Sequence, residues 1–154
     1  MIKAAFINPF LESIVNVLET MANVKATAGK PQRKEEDIAH GDVTGIIGMA
    51  SSQAKGSLAI TFTSAAIFDI AQRMLGEEVT EVDSTVTDLV GEITNMVTGG
   101  AKRLLAEEGY DFDMAIPAVV SGENHHISHK SHGPKIMIPF TTQSGKFFVE
   151  ICFE

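Results

Sequence analysis

Glu92 and Asn95 lie three residues apart, in the stretch Asp88-Leu89-Val90-Gly91-Glu92-Ile93-Thr94-Asn95-Met96-Val97-Thr98-Gly99-Gly100. A carboxylate can accept a charge-assisted hydrogen bond from a lysine or arginine, whereas a carboxamide both donates and accepts and so can orient a water molecule. Val86, Leu89, Val90, Ile93, Val97, Ala101 and Leu104 recur at helical spacing and predict one apolar face. Asp88, Glu92, Asn95 and Gly99 fall within about 60° of one another, about 140° from the centre of that face. Polar residues on the solvated side of an amphipathic helix are the ordinary case. The glycines set this helix apart, because Gly91, Gly99 and Gly100 each cost about 1 kcal/mol relative to alanine in a helix interior. Gly99, one turn beyond Asn95, would let another backbone approach closely, so the row reads as a docking surface carrying two chemically useful groups.

The pattern Asp88-x-x-x-Glu92-x-x-Asn95-x-x-x-Gly99-Gly100 resembles the signature helix of the CheC/CheX/FliY phosphatases of bacterial chemotaxis. The resemblance takes in the opening Asn8-Pro9-Phe10-Leu11-Glu12 segment and the glycine-containing hairpins, and so most of the chain. The motif occurs once at this spacing, which is closer to CheX than to CheC with its two copies. In the first helix, Glu12 and Asn16, and Glu19 and Asn23, stand four apart. They read as ordinary helix surface, leaving one site per chain.

The resemblance implies hydrolysis of the phospho-aspartate of a CheY-type response regulator. In that scheme Asn95 orients the attacking water and Glu92 engages the regulator's active-site lysine. Asp88 and Gly99 form the partner-binding rim, Asp88 being either a rim contact or plain surface. The chain needs no cofactor or metal of its own, the Mg²⁺ belonging to the regulator. The resemblance also favours a homodimer formed through the sheet. Two other readings use the same residues: a non-catalytic module that binds a regulator, and an assembly protein that oligomerises through the sheet.

The elements around the signature helix follow from pattern. Asn8 is an expected N-cap, with Pro9 at the first helical position, before the stripe Phe10, Ile14, Val17, Leu18 and Met21. The charged run from Gly29 to Asp37 reads as an exposed loop or strand edge. Val43 to Met49 is β-like, and Leu58, Ile60 and Phe62 alternate with Ser57, Ala59 and Thr61, with a hairpin turn over Ser51–Gly56. A second helix begins at Ser64 and ends at Gly76, and the signature helix runs to about Glu107 before Gly109. Ile116, Ala118 and Val120 predict a strand, as do Ile136, Ile138 and Phe140, and then Phe147, Val149, Ile151 and Phe153 beyond a turn at Ser144-Gly145.

These elements predict an α+β fold: a mostly antiparallel sheet with helices packed on one face. A long helix followed by a hairpin occurs twice, which suggests a pseudo-two-fold internal duplication. Met137, Phe148 and Cys152 fall on the other face, to be covered by a loop or by a second copy.

With 154 residues, 44% of them hydrophobic, the chain suits one domain, 1–154, with a mainly aliphatic core. A net charge of −8 argues against nucleic acid and anionic membranes as partners. A lone cysteine, Cys152, no apolar run long enough to span a bilayer and no signal-peptide pattern fit the cytoplasm. His125, His126, His129 and His132 are close enough in sequence to offer imidazoles to a metal. With Glu123 the only neighbouring carboxylate and Lys130 in its midst, the segment reads as a polar inter-strand loop.

Overall fold

The computed structural model describes residues 4–52, 54–129 and 133–153. Their elements are, in chain order, α1 (Ala4–Ala22), β1 (Thr27–Ala28), β2 (Gln32–Arg33), β3 (Val43–Ala50), β4 (Lys55–Phe62), α2 (Ser64–Leu75), α3 (Ser84–Glu107), β5 (Asp113–Met114), β6 (Ala118–Ser121), β7 (Lys135–Thr141) and β8 (Lys146–Phe153). The strands form one sheet in the order β1-β7-β8-β4-β3-β5, with β2 also on β7 and β6 also on β3. Every pairing is antiparallel. The order long helix, two short strands, hairpin occurs twice, and the hairpins β3–β4 and β7–β8 meet where β4 pairs with β8.

Alternation along the strands decides the layers. Leu58, Ile60 and Phe62 of β4, with Phe147, Val149, Ile151 and Phe153 of β8, point into one core with the apolar faces of the helices. Local signals end the helices as expected. Thr63 caps α2 by accepting from the Ala66 N–H at 3.4 Å, and Gly76 closes it at φ 74°, a left-handed conformation that suits glycine. Asp83 caps α3 by accepting from the Val86 N–H, and Gly109 follows its end at φ 90°.

Four expectations are corrected. The first helix is already formed at Ala4, so Asn8 does not cap it and Pro9 lies inside. Proline forfeits the hydrogen bond to the carbonyl four residues back. The turn before it is anchored instead by Phe6, whose ring packs edge-on against Tyr110 and Phe112, with centroids 4.8 and 5.8 Å away, and lies 5.0 Å from Phe153. Met21 is 50% exposed, and Ala22 takes the buried position on that turn. On α3, Leu105 rather than Leu104 enters the core, because the face drifts over six turns of a 3.6-residue helix. Ile116 is 91% exposed and precedes β6 rather than belonging to it.

The charged run holds a further surprise. β2 pairs with β7 and carries Lys34, just past its end, beneath the reverse face of the sheet. There Lys34 Nζ donates to Glu150 Oε2 at 2.7 Å, with both side chains almost wholly buried (2% and 1% exposed). His129 Nε2 lies 3.3 Å from Glu150 Oε1, and its Nδ1 is 2.5 Å from Ser57 Oγ. Its two ring nitrogens thus tie the Glu150 carboxylate to the Ser57 hydroxyl. His125 donates from Nδ1 to the Gly122 carbonyl and accepts at Nε2 from Thr44, whose hydroxyl lies 2.7 Å from that of Thr61. Residues 122–129 thus cover the centre of the reverse face, with Ile127 packed on Ala39 and Ala59. The polar loop expected for the histidines is present but is tied down rather than solvated, and Glu150 is the carboxylate that chain proximity did not reveal. His132 lies outside the described residues.

Burial pushes the Glu150 carboxyl up, but the hydrogen bonds and positive charges of His129 and Lys34 outweigh it and hold the group below its ordinary value of 4.5. A depressed carboxyl stabilises the fold fully above its unfolded value, and that stability is lost as pH falls through the lower folded value. Acid unfolding of the wild type should therefore steepen below pH 4.5, and Glu150→Gln should flatten that limb when denaturant midpoints are measured against pH. Lys34→Met, which leaves the carboxylate buried without its main partner, should cost about 3–5 kcal/mol at neutral pH.

Candidate functional site

The site is built on α3, and the inner face of that helix fixes where the outer face points. Val86, Leu89, Val90, Ile93, Val97, Ala101 and Leu105 are buried, together with Thr94 and Thr98. The two threonines sit in the core without an orphaned hydroxyl, because each bonds back along the helix: Thr94 Oγ1 to the Val90 carbonyl at 2.7 Å and Thr98 Oγ1 to the Thr94 carbonyl at 2.8 Å. Sequence periodicity in apolar residues alone did not predict their burial. Thr94 packs against β3 at Gly45, where a Cβ would stand only 2.0 Å from its hydroxyl oxygen. On the flank of α3, Ser13 of α1 donates to the Val97 carbonyl at 2.7 Å, and a Cβ on Gly100 would meet that serine oxygen at 2.3 Å.

Asp88, Glu92, Asn95 and Gly99 are all exposed on the opposite side of α3. Among the described residues, neither the Glu92 carboxylate nor the Asn95 side-chain amide has a hydrogen-bond or ion-pair partner. The rise of 1.5 Å per residue puts Glu92 and Asn95 about 4.5 Å apart along the axis, so both can enter one small opening on a partner.

The three helix glycines now separate by cause. Gly100 is required by α1, and a Cβ on Gly91 would make only ordinary contact with Val119 of β6, at 3.5 Å. A Cβ on Gly99 would meet nothing within 4 Å, so packing inside the chain does not explain it. Beside Gly99, a groove of about 710 Å³ runs between α1 and α3, with Leu11, Val15 and Met96 among its apolar lining and Glu12, Asn16 and Glu19 along its α1 side. Local pattern alone did not place these α1 residues beside Gly99. Among the described residues, no group of three or more His, Cys, Asp or Glu side chains is placed to hold a metal ion.

The fold and this exposed helix row place the protein in the CheC-like class. It matches a CheC-like superfamily protein from Shewanella sp. PV-4 with a TM-score of 0.93 and 57% identity, over 99% of this chain and 99% of that one. The family model described as chemotaxis phosphatase CheX matches residues 43–141, and the chain belongs to the CheX family. The CheY-P phosphatase CheX of Thermotoga maritima is 28% identical over 147 residues, spanning 94% of this chain and 92% of the relative. A structure of the CheX–CheY–BeF3–Mg²⁺ complex from Borrelia burgdorferi is matched with a TM-score of 0.81 and 28% identity, over 97% of each chain.

The glycine assignments have opposite consequences for stability. Gly99→Ala should raise the thermal midpoint, by the equivalent of up to about 1 kcal/mol, because a helix-interior glycine is replaced without a clash. Gly100→Ala should lower it, because the new methyl displaces Ser13. Thermal unfolding of the two variants side by side checks both signs.

Proposed function

We propose that this protein dephosphorylates the phospho-aspartate of a CheY-type response regulator, with Asn95 at the reacting water and Glu92 at the regulator's active-site lysine. The observation that carries the reading is the exposed Glu92–Asn95 pair, without a side-chain partner among the described residues and followed by a glycine that packing among them does not require. Membership of the CheX family, and similarity to a CheY-P phosphatase and to a CheX–CheY complex, supply the reaction and the kind of partner.

An acyl phosphate is a reactive mixed anhydride, and its loose transition state needs positioning more than a strong base. Glu92 forms a charge-assisted hydrogen bond with the regulator's lysine and so sets the register of docking. Asn95, one helical turn on, enters the opening, where its amide oxygen accepts a hydrogen bond from a water and its NH2 group donates to a neighbouring acceptor. The water oxygen bonds to phosphorus as the bond between phosphorus and the aspartyl oxygen breaks. The electron pair returns to the aspartate carboxylate, and both protons of the water leave with the phosphate as dihydrogen phosphate. The Mg²⁺ this chemistry uses is held by the regulator. Gly99 gives the regulator's surface room to approach, and Asp88 lies at the rim.

The whole chain, residues 1–154, acts in this scheme as one CheX-like unit in the cytoplasm, with neither nucleic acid nor membrane as a partner. Its net charge of −8 supports the exclusion of nucleic acid and anionic membranes. A homodimer through the sheet is part of the same proposal. Because residues 122–129 occupy the centre of the reverse face, the half-buried Phe148 and Pro139 are among the apolar surface left for a second copy. Phe148→Asp should shift the sedimentation profile from dimer to monomer.

The decay of a phosphorylated CheY-type regulator tests the chemistry. Wild type should accelerate it, and Asn95→Ala should lose on the order of a hundredfold or more while still binding the regulator loaded with beryllium trifluoride. Glu92→Ala should weaken both rate and binding. Full activity in both variants would sink the assignment of the site.

A further inference from the structure

We infer that α1 forms the second half of the regulator-docking surface, and that Glu12 and Glu19 on its rim select regulators carrying a lysine or arginine beside the phosphorylated site. The inference rests on the phosphatase reading and adds a specificity determinant to it. It comes from the way α1 and α3 are locked together. The hydrogen bond from Ser13 to the Val97 carbonyl fixes the register of the two helices, and the absence of a Cβ on Gly100 lets them approach closely. The helices run antiparallel: Asn8 and Pro9 lie beside Leu104 and Glu107, whereas Asn16 and Glu19 share a groove with Met96.

The register can be counted from that lock. Along α1, Glu19 lies about 9 Å beyond Ser13, and along α3 Glu92 lies about 7.5 Å back from Val97, at 1.5 Å per residue. Glu19 therefore runs level with Glu92, Asn16 level with Asn95, and Glu12 close to the level of Gly99. A surface that presses on Gly99 with Asn95 in its active site cannot avoid the α1 rim.

The chemistry of that rim indicates the partner. Glu12 and Glu19 are exposed, and no ion pair engages either among the described residues. Both line the groove, which reaches Gly99 of the outward row, and the cation in its lining is Arg103. Acidic groups around a docking phosphoryl group repel it unless the partner sets cations against them, so the surface favours regulators with a basic residue there. The groove floor, where Val15 and Met96 are half-buried, takes an apolar side chain of the same partner.

The double variant Glu12→Lys/Glu19→Lys changes two exposed helix positions and leaves Glu92 and Asn95 in place. It should raise KM for the phosphorylated regulator about tenfold with kcat within twofold of wild type. The gap should narrow as salt is raised from about 50 to 500 mM, since the contacts are charged and near the surface. The Kd for the regulator loaded with beryllium trifluoride should rise in parallel, and Val15→Asp should raise it without altering the salt dependence. If KM, Kd and their salt dependence are unchanged in the charge-reversed variant while Asn95→Ala is inactive, the α1 proposal is overturned and the phosphatase reading stands. If the wild type binds the loaded regulator, with charge-reversal loss, yet does not speed its decay, α1 is supported and the phosphatase reading falls. A wild type that binds no regulator overturns both.

Discussion

The contact between α3 and its surroundings is so close that two glycines are needed to make it. Gly45 on β3 leaves room for the Thr94 hydroxyl, and Gly100 on α3 leaves room for Ser13 of α1. Each contact fixes a different freedom. The first sets the depth and rotation of α3 on the sheet, and the second sets its register against the neighbouring helix through the bond to the Val97 carbonyl. A helix held on two sides cannot rotate, so the direction of Glu92 and Asn95 is decided before any partner arrives. The proposed reaction, which depends on positioning one water, needs that kind of preorganisation.

The two faces of the sheet are stabilised by different physics. On the helix side, burial of aliphatic and phenylalanine side chains dominates, with Phe62, Phe140 and Phe147 forming a run of ring contacts at 4.8–5.5 Å. On the reverse side the small apolar patch of Ala39, Ala59 and Ile127 is too slight to hold residues 122–129 in place by itself. Lys34, Glu150, His129, Ser57, His125 and Thr44 supply what is missing through hydrogen bonds that leave, among the described residues, no buried side-chain polar atom without a partner. A buried ion pair of this kind favours one arrangement over its competitors more than it adds net stability, since desolvation offsets much of the attraction.

The outward row of α3 carries polar groups without partners among the described residues, unlike the reverse face. Glu92 and Asn95 are left to solvent on a helix whose inward threonines are all bonded. Under the proposed function that contrast has a meaning: groups uncommitted among the described residues are the ones offered to a regulator.

Local pattern determined a good deal of this by itself. The 3.6-residue period placed Asp88, Glu92, Asn95 and Gly99 on one outward row, because the angle between side chains on a helix depends only on their spacing. Alternation gave the β3–β4 and β7–β8 hairpins, and Gly76 and Gly109 marked helix ends. What pattern could not give were choices made between residues far apart in the chain. Lys34 finds Glu150 across 116 positions, and Ser57 meets His129 across 72, so a charged run and a histidine-rich loop became buried structure. Phe6 extended α1 past Pro9 because its pocket is made by Tyr110, Phe112 and Phe153. Which glycine serves packing and which is open to a partner was likewise decided by Ser13, a residue on another helix. Periodicity is a property of neighbours, whereas burial and register are settled by what the rest of the chain brings alongside.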